Sequence, residues 1–302
     1  MNERHVSMRD GTTIFVRHWL PQQEPIGHIH ILHGMSEHSG RYVPFAESLV
    51  EAGYSVSTHD HRGHGKTAEL NNMPFGFFAP RDGFELVVED VEEVVRAIGI
   101  DEPFTLFGHS MGSFVARRYA QRYSNRLARL IVCGTGSVTP LHYTGRYVAR
   151  MLAAIQGDDV KSPLLHSMSF RSFNKKFRPT RSEFDWLAAS ETAVDHFIED
   201  PYCGFVSTTR FFADVSDGLV RISKRSELEK TPNVPILLIS GEADPLGQRG
   251  KGIYKLARQL NAVGCTNVQV YLAEHMRHEL LNERNRAHTI AQIKRWLYEQ
   301  TN

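Results

Sequence analysis

Gly108-His109-Ser110-Met111-Gly112 places a serine between two glycines, straight after the apolar run Phe104–Phe107 and ahead of a segment with helical period. A strand that turns into a helix this sharply needs small residues on both sides of the turn. It pushes the central side chain into a strained backbone region with its hydroxyl projecting. The helix that follows aims free N–H groups at the same spot. The chemistry implied is nucleophilic attack by Ser110.

A serine hydroxyl is a weak nucleophile and needs a base within reach, itself oriented by an acid. Downstream of an elbow of this kind the acid comes first and the histidine second. Two later strand-like runs end in suitable loops. The first opens into Ser240-Gly241-Glu242-Ala243-Asp244-Pro245, where Glu242 and Asp244 compete for the acid role and Pro245 fixes the backbone after Asp244. The second leads to His275-Met276-Arg277-His278-Glu279, where His275 and His278 compete for the base. Two N–H groups must face the negative charge that develops on the attacked carbonyl. The backbone of Met111, directly after the serine, supplies one. The loop His33-Gly34-Met35 supplies the other, with Gly34 allowing close approach and Met35 donating.

Elements must position these groups. Short apolar runs at Thr12–Val16, His28–Leu32, Tyr54–Thr58, Phe104–Phe107, Leu130–Val132, Val234–Ile239 and Val268–Leu272 read as strands, most of them ending in glycine-containing loops. Between them lie helical stretches. In Glu85–Ile98, Leu86, Val87, Val91, Val94, Val95 and Ile98 share a face; another helix covers roughly Arg284–Tyr298. Strands that alternate with helices predict an α/β fold with a mostly parallel sheet covered on both sides. From about residue 136 to 225 the rhythm breaks. That stretch carries Pro140, Pro163, Pro179 and Pro201 and many aromatics, and reads as a mostly helical insertion.

Five segments together resemble one family, the monoacylglycerol lipase and lysophospholipase-like α/β-hydrolases, also labelled serine aminopeptidase S33-like. They are His33-Gly34-Met35-Ser36-Glu37-His38-Ser39-Gly40-Arg41-Tyr42, Asp60-His61-Arg62-Gly63-His64-Gly65, Gly108-His109-Ser110-Met111-Gly112, Gly241-Glu242-Ala243-Asp244-Pro245 and Arg277-His278-Glu279-Leu280-Leu281-Asn282-Glu283, in the family's order over nearly the whole chain. The resemblance implies the α/β-hydrolase fold, with a core formed by residues 1–135 and 226–302 and a helical cap over the active site formed by 136–225. It assigns the acid to Asp244 and the base to His278. The family often has a second glycine after the elbow, whereas here Ser113 follows Gly112. The implied activity is hydrolysis of a small-molecule acyl ester of the monoacylglycerol or lysophospholipid kind, with no cofactor. An aminopeptidase or amidase of the same fold is the alternative. It would need carboxylates for a substrate amine, and Glu191, Asp195, Glu199 and Asp200 form the candidate cluster. A ligand sensor that keeps the fold but turns over slowly is a third reading.

Composition narrows the rest. The 302 residues carry 35 basic and 34 acidic side chains, a net charge of +1, which argues against nucleic acid as the partner. The first residues, MNERHVSMRDG, lack the pattern of a secretory signal, and no apolar run is long enough to cross a bilayer. Cys133, Cys203 and Cys265 are sparse and odd in number, as expected of free thiols in a reducing, cytoplasmic setting. An apolar cap tip could touch a lipid surface transiently. His28-x-His30-x-x-His33 and His59-x-His61-x-x-His64 have metal-like spacing, but His33 and His61 belong to the family loops and no metal is expected. Asp60 and Arg62 are expected to brace their turn as an ion pair.

Overall fold

The computed structural model describes residues 1–300. Eight strands form one sheet: β1 Asn2–Ser7, β2 Thr13–Trp19, β3 His28–Leu32, β4 Ser55–His59, β5 Phe104–His109, β6 Leu127–Cys133, β7 Ile236–Gly241 and β8 Val268–Ala273. Their order is β1-β2-β4-β3-β5-β6-β7-β8. β1 and β2 pair antiparallel, as do β2 and β4; from β4 to β8 every pairing is parallel. The mostly parallel α/β-hydrolase sheet expected from the sequence is therefore present. β1 is an addition, because its charged and polar residues carry no apolar signal.

Alternation along the central strands divides the core. Leu106, Leu130, Val132, Ile236 and Leu238 point to one face, against α3 Gly83–Ala97, α4 Met111–Arg122 and α10 Lys251–Asn261. Phe107, Ile131, Cys133, Leu237 and Ile239 point to the other, against α1 Val43–Glu51 and α11 Arg286–Glu299. The short α2, Gly65–Leu70, follows β4. Cys133 and Cys265 are buried, Cys203 is half-buried, and all three are free thiols.

Five helices lie between β6 and β7: α5 Pro140–Gln156, α6 Pro163–Phe170, α7 Glu191–Glu199, α8 Thr209–Ile222 and α9 Arg225–Leu228. They do not form one separate body. Phe211, Phe212, Leu219 and Ile222 of α8 and Leu165 of α6 join the main core with α3 and α4. Trp186, Leu187 and Phe197 form a small cluster of their own, packed by Phe170, Phe173, Phe177 and Phe184.

One expected ion pair is corrected. Asp60 does not pair with Arg62. Arg62 makes a fork to the buried Asp90, with Nε and Nη2 each 2.7 Å from a carboxylate oxygen, and Nη1 reaches Asp10 at 2.5 Å. Asp60 instead accepts from the backbone N–H groups of Ser39 and Lys66, both at 2.8 Å. The Asp60 carboxylate is turned inward to hold its own loops, while the guanidinium reaches out to α3.

Candidate active site

Parallel strands release their carboxyl ends at one edge of the sheet, where open α/β sheets hold ligands. Register brings the loops together: Leu32 lies beside Gly108, His109 beside Cys133, Cys133 beside Ile239 and Gly241 beside Ala273. The loops carrying Met35, Ser110, Asp244 and His278 thus all leave the same edge.

Ser110 has φ 52° and ψ −118°. This is a costly conformation for a residue with a Cβ, held because the surroundings over-determine it. Its N–H donates to Cys133 O at 2.9 Å, and its carbonyl accepts from Ser113 N–H at 2.9 Å. The glycines are sterically required. A Cβ on Gly108 would stand 2.3 Å from Gly112 O, and one on Gly112 would stand 2.4 Å from Leu32 O.

His278 Nδ1 lies 3.0 Å from Asp244 Oδ2, and the two side chains are 1% and 0% exposed. Asp244 also accepts from Ser240 Oγ at 3.1 Å and from Leu246 N–H at 2.8 Å. Burial alone would raise its pKa, but the charge and hydrogen bond of His278 and the other two donors outweigh burial and lower it. The competing residues of the two loops, Glu242 and His275, are exposed. Ser110 and His278 line one cleft together with Gly34 and Met35. A Cβ on Gly34 would meet Ser110 Cβ at 3.1 Å, so this loop lies directly against the serine. Met111 opens α4 immediately after it.

A buried charge network beside this cleft leaves little local trace in the sequence. Glu37 accepts from Gly34 N–H at 2.5 Å, Tyr42 O–H at 2.8 Å and Arg41 Nη1 at 2.7 Å. Arg41 also makes a fork to Glu279, at 2.6 and 2.7 Å. His109 Nδ1 faces Tyr42 Oη at 2.9 Å and Glu37 Oε1 at 3.3 Å. Burial pushes the pKa of His109 down, but Glu37 outweighs it and the net shift is upward. Arg41 stands four residues after Glu37, the one spacing signal available; its link to Glu279 spans 238 residues. Trp186 comes from the aromatic-rich insertion. Its ring centroid lies 4.9 Å from that of His278.

The cleft is narrow, with a cavity volume of about 60 Å³. Its lining is both apolar, from Phe170, Phe184, Trp186, Leu187 and Phe197, and polar, from Glu37, His109, His166, Glu183 and Glu279.

Of the six histidines with metal-like spacing, His28, His30, His33 and His59 use both ring nitrogens in hydrogen bonds, whereas His61 Nε2 and His64 Nε2 are buried without a hydrogen-bond partner among the described residues. His28 and His30 share Ser57 Oγ at 2.7 and 2.6 Å, His30 meets His59 at 2.9 Å, and His59 meets His61 at 3.1 Å. A cluster of His38, Asp200 and Cys203 has ligand-like proximity. There Gly40 N–H donates to His38 Nδ1 at 3.2 Å, so Nε2 carries the proton and donates to Asp200 at 2.9 Å. That ring has no lone pair to offer a metal.

The profile of the family described as serine aminopeptidase, S33, matches residues 23–285. The chain belongs to this family. Human monoglyceride lipase is 27% identical to it, over 98% of this chain and 90% of that relative. Among solved structures, a thermostable carboxyl esterase from Bacillus coagulans in complex with glycerol superposes with a TM-score of 0.92 at 26% identity, covering 100% of this chain and 99% of the other. A lipase in an open form superposes with a TM-score of 0.88 at 29% identity, with the same coverage. The S33 chain is accordingly a hydrolase of the α/β-hydrolase fold. No helix among its described residues is long and apolar enough to cross a membrane.

Proposed function

We propose that Ser110, His278 and Asp244 act as nucleophile, base and orienting acid in the hydrolysis of monoacyl lipid esters, with the N–H groups of Met35 and Met111 as the oxyanion hole. The chain is a serine ester hydrolase of the S33 family. What carries the finer reading is the buried His278–Asp244 pair, 3.0 Å apart, opening into the cleft that Ser110 lines. Ser110 Oγ attacks the ester carbonyl while His278 Nε2 takes its proton. The two N–H groups hold the oxyanion. His278 then protonates the leaving alcohol, and a water activated by the same imidazole releases the acid. Asp244 keeps the proton of His278 on Nδ1 and stabilises the charged ring.

The lining of the cleft supports this substrate class: an acyl chain suits its aromatic side chains, and a hydroxylated leaving group suits its polar groups Glu37, His109 and Glu279. The likeness to human monoglyceride lipase and to an esterase solved with glycerol supports this substrate class. The amidase reading finds less support. Glu191 and Asp195 face Arg181, Asp200 is held by His38, and Arg41 pairs with both Glu37 and Glu279.

The cap, in this reading residues 136–225, also offers a lipid-facing surface. Tyr143, Tyr147, Met151 and Ile155 recur every fourth residue along α5, and all are exposed. Leu164 and Met168 repeat the pattern on α6.

The test is labelling by a serine-directed fluorophosphonate, followed by a panel of monoacylglycerols, lysophospholipids and N-terminal amides. Wild type should label and cleave the esters; Ser110→Ala should do neither. Equal labelling of the variant would move the nucleophile elsewhere. Labelling without turnover of any ester would support the slow sensor reading.

A further inference from the structure

Gly34 O and Met35 N–H belong to one peptide group. Arg178–Pro179 is the only cis bond among the described residues, so this peptide is trans, and its carbonyl and N–H point in opposite directions. Whatever holds the oxygen therefore aims the N–H.

The oxygen is held by a side chain. His33 Nδ1 lies 2.7 Å from Gly34 O. The other nitrogen of that ring, Nε2, lies 2.9 Å from the backbone N–H of His61. A backbone N–H can only donate, so Nε2 carries the lone pair and Nδ1 carries the proton. The ring is fully buried, with centroids 4.2 Å from His61 and 5.2 Å from His64. On its other side Gly34 is tied again, its own N–H donating to Glu37 Oε1 at 2.5 Å.

We infer that His33 is a positioning residue: its Nδ1–H pins the Gly34 carbonyl, and so holds the Met35 N–H facing the cleft in front of Ser110. This rests on the reading of Met35 as an oxyanion donor. Without the pin the peptide is free to turn over. A turned peptide would present a carbonyl oxygen where the oxyanion develops, replacing a donor by an acceptor. The contact forms only in the transition state, so its loss falls on kcat and not on KM.

Two variants and one spectrum test this. His33→Leu fills similar space without a donor; His33→Asn puts an amide N–H near the position of Nδ1. The leucine variant should lose roughly 100- to 1,000-fold in kcat, the scale of one oxyanion donor, with KM held within about threefold. The asparagine variant should recover most of that loss. Nitrogen-15 histidine spectra of the wild type between about pH 7 and 9 should show the His33 proton on Nδ1 throughout. Equal activity of the leucine variant and the wild type, equal loss in both variants, or a proton on Nε2 would overturn the inference. Should the leucine variant fail to fold, the asparagine variant and the spectrum decide. Failure of the underlying reading looks different: Ser110→Ala would then retain turnover and labelling. An inert Ser110→Ala beside a fully active His33→Leu would remove the role of His33 in aiming Met35 while leaving the nucleophile in place.

Discussion

His109 Nε2 lies 3.3 Å from the carbonyl oxygen of His278. The residue before Ser110 thereby reaches the loop that carries the proposed base. Its other nitrogen faces Tyr42 and Glu37. Glu37 favours the charged form of the ring against the opposing effect of burial. The ring ties the elbow to the base loop.

That tie sets an alkaline limit. A histidine whose pKa is raised by folding contributes stability that is complete below the ordinary histidine value and lost as pH rises through the raised one. Glu37→Gln removes the charge that sustains it. The variant should lose activity at lower pH than wild type on the alkaline side. It should also cost about 1–3 kcal/mol in urea unfolding, because Arg41 keeps only one carboxylate. Coincident alkaline limbs in the two pH–rate profiles would show that His109 does not carry this charge.

The neutral histidines set an acid limit. Burial holds His28 and His59 at about 3 and His64 at about 4, and it holds His30, His33 and His61 well below the ordinary value. Once unfolded they titrate near 6.5, so below that pH the unfolded chain binds more protons and stability falls. Each imidazole costs about 1.4 kcal/mol per pH unit until its folded pKa is reached. At roughly pH 5.5 the six together cost about 8 kcal/mol, comparable to the whole stability of an ordinary domain. Cooperative acid unfolding is expected between roughly pH 5 and 6, followed by tryptophan fluorescence and far-ultraviolet circular dichroism. A native spectrum persisting well below that range would contradict the assignment of these rings as neutral.

The Arg62–Asp90 fork gives a third test. Burial raises the Asp90 pKa to about 6 despite its arginine partner. Arg62→Ala would leave that carboxylate buried and unpaired, at a cost of about 3–5 kcal/mol. Thermal melting should fall by roughly 10 °C, with Arg62→Lys intermediate because it keeps the charge but not the fork. Neither residue lines the cleft, so kcat of the folded variant should stay within about twofold. A melting temperature within about 2 °C of wild type would show that the fork contributes little.

How far the sequence carried the fold depends on how local each signal is. The apolar run Val268–Leu272 became β8, Val268–Ala273, and the periodic stretch Glu85–Ile98 became α3, Gly83–Ala97. Burial on a sheet or helix face leaves a local mark in both cases. β1 left none, since its pairing with β2 is made by backbone groups beneath polar side chains. The insertion was legible as helical but not in its division. Periodicity shows that α8 has an apolar face, not that this face belongs to the main core. At the site, the glycine-flanked serine and the two later loops stood out by their residue types, and the fold brings Ser110, Asp244 and His278 to one sheet edge. The contest between Asp244 and Glu242 is one of burial, which no dipeptide records. Arg41 and Glu279 meet across most of the chain, and their partnership became visible only once the sheet had set the register of its loops.

The exposed face of α5 supplies the last prediction. Met151 and Ile155 are exposed apolar side chains, and Ile155 is 73% open to solvent. A surface helix that shows such a stripe forfeits apolar burial, unless something apolar covers it for part of the working cycle. If the cover is a lipid surface, each fully buried side chain contributes about 1.5–3 kcal/mol to adsorption. Met151→Glu with Ile155→Glu should then weaken flotation with phosphatidylcholine vesicles by tenfold or more. It should lower the rate on emulsified monoacylglycerol in proportion. The rate on a short, water-soluble ester should be unchanged, because neither residue lines the cleft. Equal loss on both substrates would mean that the glutamates disturb the cap itself. An unchanged rate on the emulsion would mean that this face takes no part in reaching the lipid.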